Sequence, residues 1–162
     1  MVDNNEIQTM FESALKDPTL LSDIDIDKLL LSIDDNRNNY LEDKTMESIN
    51  KEIFDSINEL AISLEKKESY CEKLIGYRLV ENLNELHKGK HVRWIRKGKN
   101  NLTNGGIIVN IKFLDNGIQI LCKNSMNRFI QYKYDECITF QKMNEAEHLV
   151  IMAYEYASNI HP

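Results

Sequence analysis

The chain has 162 residues, a formal net charge of −6, a hydrophobic fraction of 42% and a charged fraction of 28%. Such values belong to an ordinary globular protein with enough chain to bury a core, and they exclude a disordered polyelectrolyte. No run approaches the roughly 20 apolar residues that span a bilayer, and the stretch before Lys16 carries acids without the basic and apolar regions of a signal peptide, so an intracellular, non-secreted protein with no membrane partner is expected.

In chain order, Ile7, Met10, Phe11, Ala14 and Leu15 fall at helical spacing over residues 5–15, and Asp17-Pro18 ends that helix. A second short helix is predicted from Asp25 to Ile33, followed by a polar turn at 34–39. From about Asp43 the pattern predicts one long amphipathic helix reaching His87. Met46, Ile53, Leu60 and Leu74 fall on one heptad position, and Ile57, Leu64 and Cys71 on the other. These seven residues form a candidate self-association face, and a homodimer through the long helix competes with packing inside one monomer. Gly76 is the weakest point of that helix.

Near Gly89 the periodicity changes from helical to alternating. Five strands are predicted at 90–96, 106–114, 118–123, 128–134 and 137–142, with Asp115-Asn116-Gly117 as a hairpin turn. Val92 and Trp94 point inward in this reading; His91, Arg93 and Ile95 point outward. Five short strands joined by tight turns imply a small SH3-like barrel. A helix closes the chain, with Asn144 and Glu147 as a capping box, and is expected to cover an open edge of the barrel. The predicted class is α+β: an acidic helical region at 1–87, a bundle or coiled coil, then a basic five-stranded barrel with its C-terminal helix at 88–162.

Charge divides along the same line. Residues 1–87 hold 9 basic against 20 acidic side chains, and residues 88–142 hold 11 against 3. The densest basic run is Lys88, Lys90, Arg93, Arg96, Lys97 and Lys99, interleaved with His87, His91 and Trp94. A basic strand carrying an aromatic is one footprint of single-stranded nucleic-acid binding, so these six residues are the candidate set for nucleic acid or another partner. A solvated surface balancing the acidic helices competes with that reading.

The chemical motifs do not assemble. Cys71, Cys122 and Cys137 are odd in number and widely spaced, which argues for free thiols rather than disulfides or zinc. Asp34, Asn36 and Asn38 imitate half a calcium loop, but the position for the bidentate glutamate is Thr45. The four histidines lack metal-ligand spacing, and no serine, threonine or cysteine sits in a nucleophile elbow. Trp94, Phe113, Phe129, Tyr132, Tyr134 and Phe140 read as barrel core rather than as a cage for a methylated cation. No catalytic residue, metal or cofactor is expected, and the chain reads as a non-enzyme.

One set of segments is distinctive. Gly89-Lys90-His91-Val92-Arg93-Trp94-Ile95, Leu102-Thr103-Asn104-Gly105-Gly106, Arg128-Phe129 and Ile138-Thr139-Phe140-Gln141-Lys142 together resemble the small SH3-like or Tudor-like barrel modules in uncharacterised proteins of giant nucleocytoplasmic DNA viruses. The resemblance covers residues 88–150. It implies an interaction module of viral origin, with the virion or virus factory as its place, and carries over no binding residue. The function expected is therefore a protein-interaction or scaffold component with protein partners. The alternative is a nucleic-acid-binding accessory protein that uses the basic barrel.

Overall fold

The computed structural model describes residues 40–42 and 44–160. The helices expected at 5–15 and 25–33, and most of the calcium-like loop, lie outside these residues. The chain divides into two compact units, one formed by residues 1–48 with 143–162 and the other by 49–142.

In the first unit, Thr45 and Ser48 cap the start of helix α1 (Met46–Asn58) reciprocally. Ser48 N–H donates to Thr45 Oγ1 at 3.0 Å, and Thr45 N–H donates to Ser48 Oγ at 2.9 Å. The closing helix α3 (Glu145–Ile160) opens on the expected capping box, with Glu147 N–H donating to Asn144 Oδ1 at 2.8 Å and Asn144 N–H to Glu147 Oε1 at 3.2 Å. The buried Glu147 carboxylate also accepts from the Tyr40 hydroxyl, and Glu155 accepts from Met46 N–H at 2.7 Å. Val150, Ile151, Ala153, Tyr154 and Ala157 form the buried stripe of α3.

The single long helix expected from 43 to 87 is corrected to two helices and a strand. Helix α1 stops at Asn58 without glycine or proline. Lys67 Nζ donates to the Asn58 carbonyl at 2.9 Å and so satisfies an orphaned acceptor at the helix end. Ser63 then caps helix α2 (Leu64–Lys73), its hydroxyl accepting from Lys66 N–H at 3.3 Å. Gly76, at φ +86°, turns the chain into strand β1 (Tyr77–Leu79). Ile53, Ile57 and Leu74 are buried, Met46, Leu60 and Cys71 are half-buried, and Leu64 is 71% exposed. The heptad residues therefore sit on two helices and a turn, and Ile49, which the heptad reading passed over, is buried with them.

The remaining strands are β2 (His91–Arg96), β3 (Gly106–Leu114), β4 (Gly117–Lys123), β5 (Phe129–Lys133) and β6 (Cys137–Lys142). All five match the predicted positions closely, but the architecture does not. The strands form one open, six-stranded antiparallel sheet in the order β1-β6-β2-β3-β4-β5, not a closed five-stranded barrel. The sixth strand comes from the region read as helix, where Tyr77-Arg78-Leu79 pairs with Phe140-Gln141-Lys142. A bulge between Ile108 and Asn110 bends β3. The bend directs Ile108 and Ile111 to the same inner face, which Val92, Trp94, Ile120, Cys122 and Tyr132 share, while Val80 and Leu86 close it.

Two expectations about side-chain direction also change. Ile95 is fully buried although it was placed outside, because β2 is an internal strand covered on both faces. Phe113 and Phe129, read as core, are 74% and 66% exposed. The bulge breaks the alternation along β3 and leaves Phe113 at the hairpin tip, while Phe129 lies on the outer face opposite Lys123.

A buried ion pair fastens the sheet edge. Arg78 on β1 meets Glu85, in the 3-10 turn after it, at 2.8 Å, and their side chains are 3% and 9% exposed. The second Glu85 carboxylate oxygen accepts from Asn82 N–H at 2.7 Å and Glu81 N–H at 3.2 Å. Gln141, the β6 partner of Arg78, donates to the Glu85 carbonyl and accepts from His87 N–H, both at 3.0 Å. Removing one member strands a charge out of water, so Glu85→Ala is expected to cost about 3–5 kcal/mol in urea unfolding.

Gly105, at φ +71°, lies where β2 and the chain entering β3 nearly touch. A Cβ there would stand 1.8 Å from the Val92 carbonyl oxygen. Gly105→Ala is expected to be destabilised beyond the typical ~1 kcal/mol of a point mutation, read as a lowered melting temperature.

Candidate functional site: the unclosed edge of the sheet

The curl of the sheet brings β5 back over β2. Trp94 and Tyr132 stack with ring centroids 4.1 Å apart and planes 17° from parallel. The Tyr132 hydroxyl reaches Thr139 Oγ1 at 3.1 Å, and Thr139 is the β6 partner of Trp94. Burial raises the Tyr132 hydroxyl pKa well above the ordinary range; the Thr139 bond opposes this, and the nearby Cys122, Cys137 and Tyr134 add to it. The pair is thus a neutral, rigid aromatic floor.

Although the rings meet, the backbones do not pair, because β5 ends the sheet. Asn124 N–H donates to the Arg128 carbonyl at 2.9 Å, which fixes the hydrogen-bonded phase of the β4–β5 ladder. In an antiparallel pair that phase alternates, so Ile130 and Tyr132 bond to β4, and Phe129 and Gln131 turn N–H and C=O to the free edge. Among the described residues nothing pairs with those four groups. Beside this edge lies a cavity of about 350 Å³, lined by Trp94, Arg96, Gln119, Gln131, Tyr132, Lys133, Glu136 and Cys137. Arg96 and Lys133 approach Glu136 at 3.3 and 3.9 Å, both as half-exposed pairs that contribute little to stability. The rim keeps one more cation than anion.

The six basic residues singled out in the sequence do not form one patch. Arg93 is engaged with backbone, donating to the Thr103 carbonyl at 2.8 Å and to the Lys73 carbonyl at 3.4 Å. Arg96 lies on the cavity rim with Lys97 and Lys99 close behind in the turn, all three exposed. Exposed Lys88 and half-buried Lys90 sit beyond the opposite end of β2, a six-residue strand about 20 Å long at ~3.3 Å per residue. Sequence reasoning missed Gln119, Gln131 and Lys133 as site residues, took Tyr132 only as core, and read Trp94 as core or as the aromatic of the basic run. The sole advance signal was the position of Lys133 at the end of the last predicted hairpin.

Nothing in the cavity is set up as a nucleophile. Burial raises the Cys137 thiol pKa and pushes that of Cys122 up to about 12, so both stay protonated at neutral pH. Among the described residues no group of three or more His, Cys, Asp or Glu is placed to hold a metal ion. No described helix is long and apolar enough to cross a membrane. No family model, curated protein or solved structure matches the chain.

His91 stands at the far end of β2, its Nδ1 2.9 Å from the Tyr77 hydroxyl. Burial, with Arg93 and Lys142 nearby, holds its pKa below the ordinary histidine value. The unfolded chain therefore takes up this proton at higher pH than the folded chain. Stability should be intact above about pH 6.5, then fall as pH drops through that value toward the lower folded pKa. His91→Gln should flatten this loss, read as the urea midpoint measured from about pH 7.5 to about pH 5.

Proposed function

We propose that the chain is an intracellular, non-enzymatic interaction protein that captures an extended segment of a protein partner by strand addition to β5. The observation that carries this reading is the row of outward backbone groups at Phe129 and Gln131 beside an aromatic-floored cavity. An added strand would satisfy those groups, and every second side chain of the guest would face the cavity; this is how sheet-edge recognition divides affinity from specificity. The rim cations Arg96 and Lys133, only partly offset by Glu136, favour a polar or acidic guest side chain. A scaffold role follows from binding without chemistry: the edge offers hydrogen bonds and a pocket, and the thiol of Cys137, which lines the cavity, is protonated.

Gln131→Pro separates this function from folding. The Gln131 N–H points away from β4, so proline removes a donor to the guest without breaking the ladder, as tolerated on edge strands. Peptides selected from a displayed library of extended acidic sequences should bind the wild type. They should lose about tenfold or more in affinity to Gln131→Pro, which forfeits one hydrogen bond and sterically blocks the edge. Trp94, the single tryptophan, lies on the cavity wall and reports both occupancy and an intact fold through its emission. Selected peptides that bind Gln131→Pro as tightly as the wild type would refute strand addition.

A further inference from the structure

The register of β3, β4 and β5 assembles a second surface from residues scattered along the sequence. Ile107, Lys123 and Phe129 are successive Cα partners across the three strands. Asn110, Leu121 and Gln131 form the next row, and Lys112, Gln119 and Lys133 the third. Alternation puts all nine on the outer face, opposite Ile108, Ile120, Cys122 and Tyr132 in the core. Lys112, Lys123, Phe129 and Lys133 are exposed, as is Arg128 beside Phe129.

Three features of this face point the same way. It carries cations and no carboxylate: between Lys97 and Tyr134 the only acid in the sequence is Asp115, in the hairpin turn at the far end of β3. Of the cations on this face, Glu136, beyond β5, approaches only Lys133, at 3.9 Å. Phe129 presents an aromatic ring 66% exposed, with Lys123 opposite and Arg128 adjacent in sequence. The middle of the face is lined with amides, from Asn110, Gln119 and Gln131, which can donate to and accept from base edges.

We infer that the outer face of β3–β4–β5 binds single-stranded nucleic acid, with Lys112, Lys123 and Lys133 on phosphates and Phe129 stacking on a base. Lys112 and Lys133 stand two strands apart, about 10 Å, and Lys123 lies about 13 Å further along β4 from their row. This span suits several nucleotides of an extended strand crossing the sheet. A duplex keeps its bases paired and inaccessible to Phe129, so the unpaired form is the one selected. The proposal shares Lys133, Gln119 and Gln131 with the cavity rim but uses neither the β5 backbone groups nor the Trp94–Tyr132 floor, and it differs from the basic run of residues 88–99, most of whose members lie at the two ends of β2.

The test is fluorescence anisotropy of the full chain with labelled 12-residue oligo-dT and oligo-U, and with a duplex of equal length. Binding of the single strands is expected in the micromolar range at low salt. It should weaken about twentyfold between 50 and 200 mM salt, as three phosphate contacts on a single strand require. The double variant Lys112→Glu/Lys123→Glu should abolish the signal. Phe129→Ala should weaken single-strand binding about tenfold and leave any duplex binding unchanged. Phe129 is exposed, so its variant remains a fair probe even if the double reversal fails to fold, with Trp94 emission as the check. The inference is overturned by no single-strand binding at 50 mM salt. It is overturned equally by binding indifferent to both variants but lost on reversing Lys88, Lys97 and Lys99, or by equal affinity for duplex and single strand with Phe129→Ala unchanged.

Discussion

The buried pairing of Arg78 with Glu85 is the constraint on which the rest of the sheet unit hangs. Two charges out of water are tolerable only when every lone pair and donor is engaged. Here Asn82, Glu81 and Gln141 complete the set. The network ties three separate pieces together: β1, the 3-10 turn after it, and β6. Val80 and Leu86, which close the inner core, flank the Glu85 turn and are held in place with it. A hydrophobic trio could supply comparable stability, but it would not dictate that β1 lie on the outer edge of β6 in a single register.

From that fixed edge the sheet runs inward through β6 and β2 and then out to β5. Its curl brings Tyr132 onto Trp94 without closing the ladder. Closure would have consumed the backbone groups of Phe129 and Gln131. An unclosed edge is ordinarily an aggregation hazard, and natural sheets blunt it with charge. Arg128 and Lys133 flank this one. The same strand therefore offers two surfaces at right angles: a hydrogen-bonding edge backed by a cavity, and a cationic face with an exposed ring. Strand addition at the edge and a polyanion on the face need not exclude each other, since the first uses backbone and the second uses side chains. Gln131 and Lys133 touch both.

The candidate site was only partly legible beforehand, for a geometric reason. The run from Lys88 to Lys99 looked like one patch because its members are neighbours in sequence, yet a strand carries neighbours apart at ~3.3 Å per residue and onto opposite faces. Conversely, Lys112, Lys123 and Lys133 look dispersed, and only pairing of β3 with β4 and of β4 with β5 gathers them. Arg93 shows a third effect: its charge was counted toward binding, but its donors are engaged with backbone carbonyls.

Signals that act within a few residues were decided by the sequence itself. The Asp115-Asn116-Gly117 turn, the Asn144–Glu147 capping box and the inward set Val92 and Trp94 are of this kind. Each depends on local sterics or hydrogen bonds that need no distant partner. Tertiary structure decided the rest. Leu60 and Leu64 continue a heptad on paper, yet Lys67 and Ser63 cap the two helix ends between them. Tyr77-Arg78-Leu79 fits a helical stripe as well as a strand, and becomes a strand because β6 supplies its hydrogen bonds and Glu85 its counter-charge. An open sheet and a closed barrel share strand lengths and turns; they differ only in whether the first and last strands meet, and that depends on contacts between residues far apart in the chain.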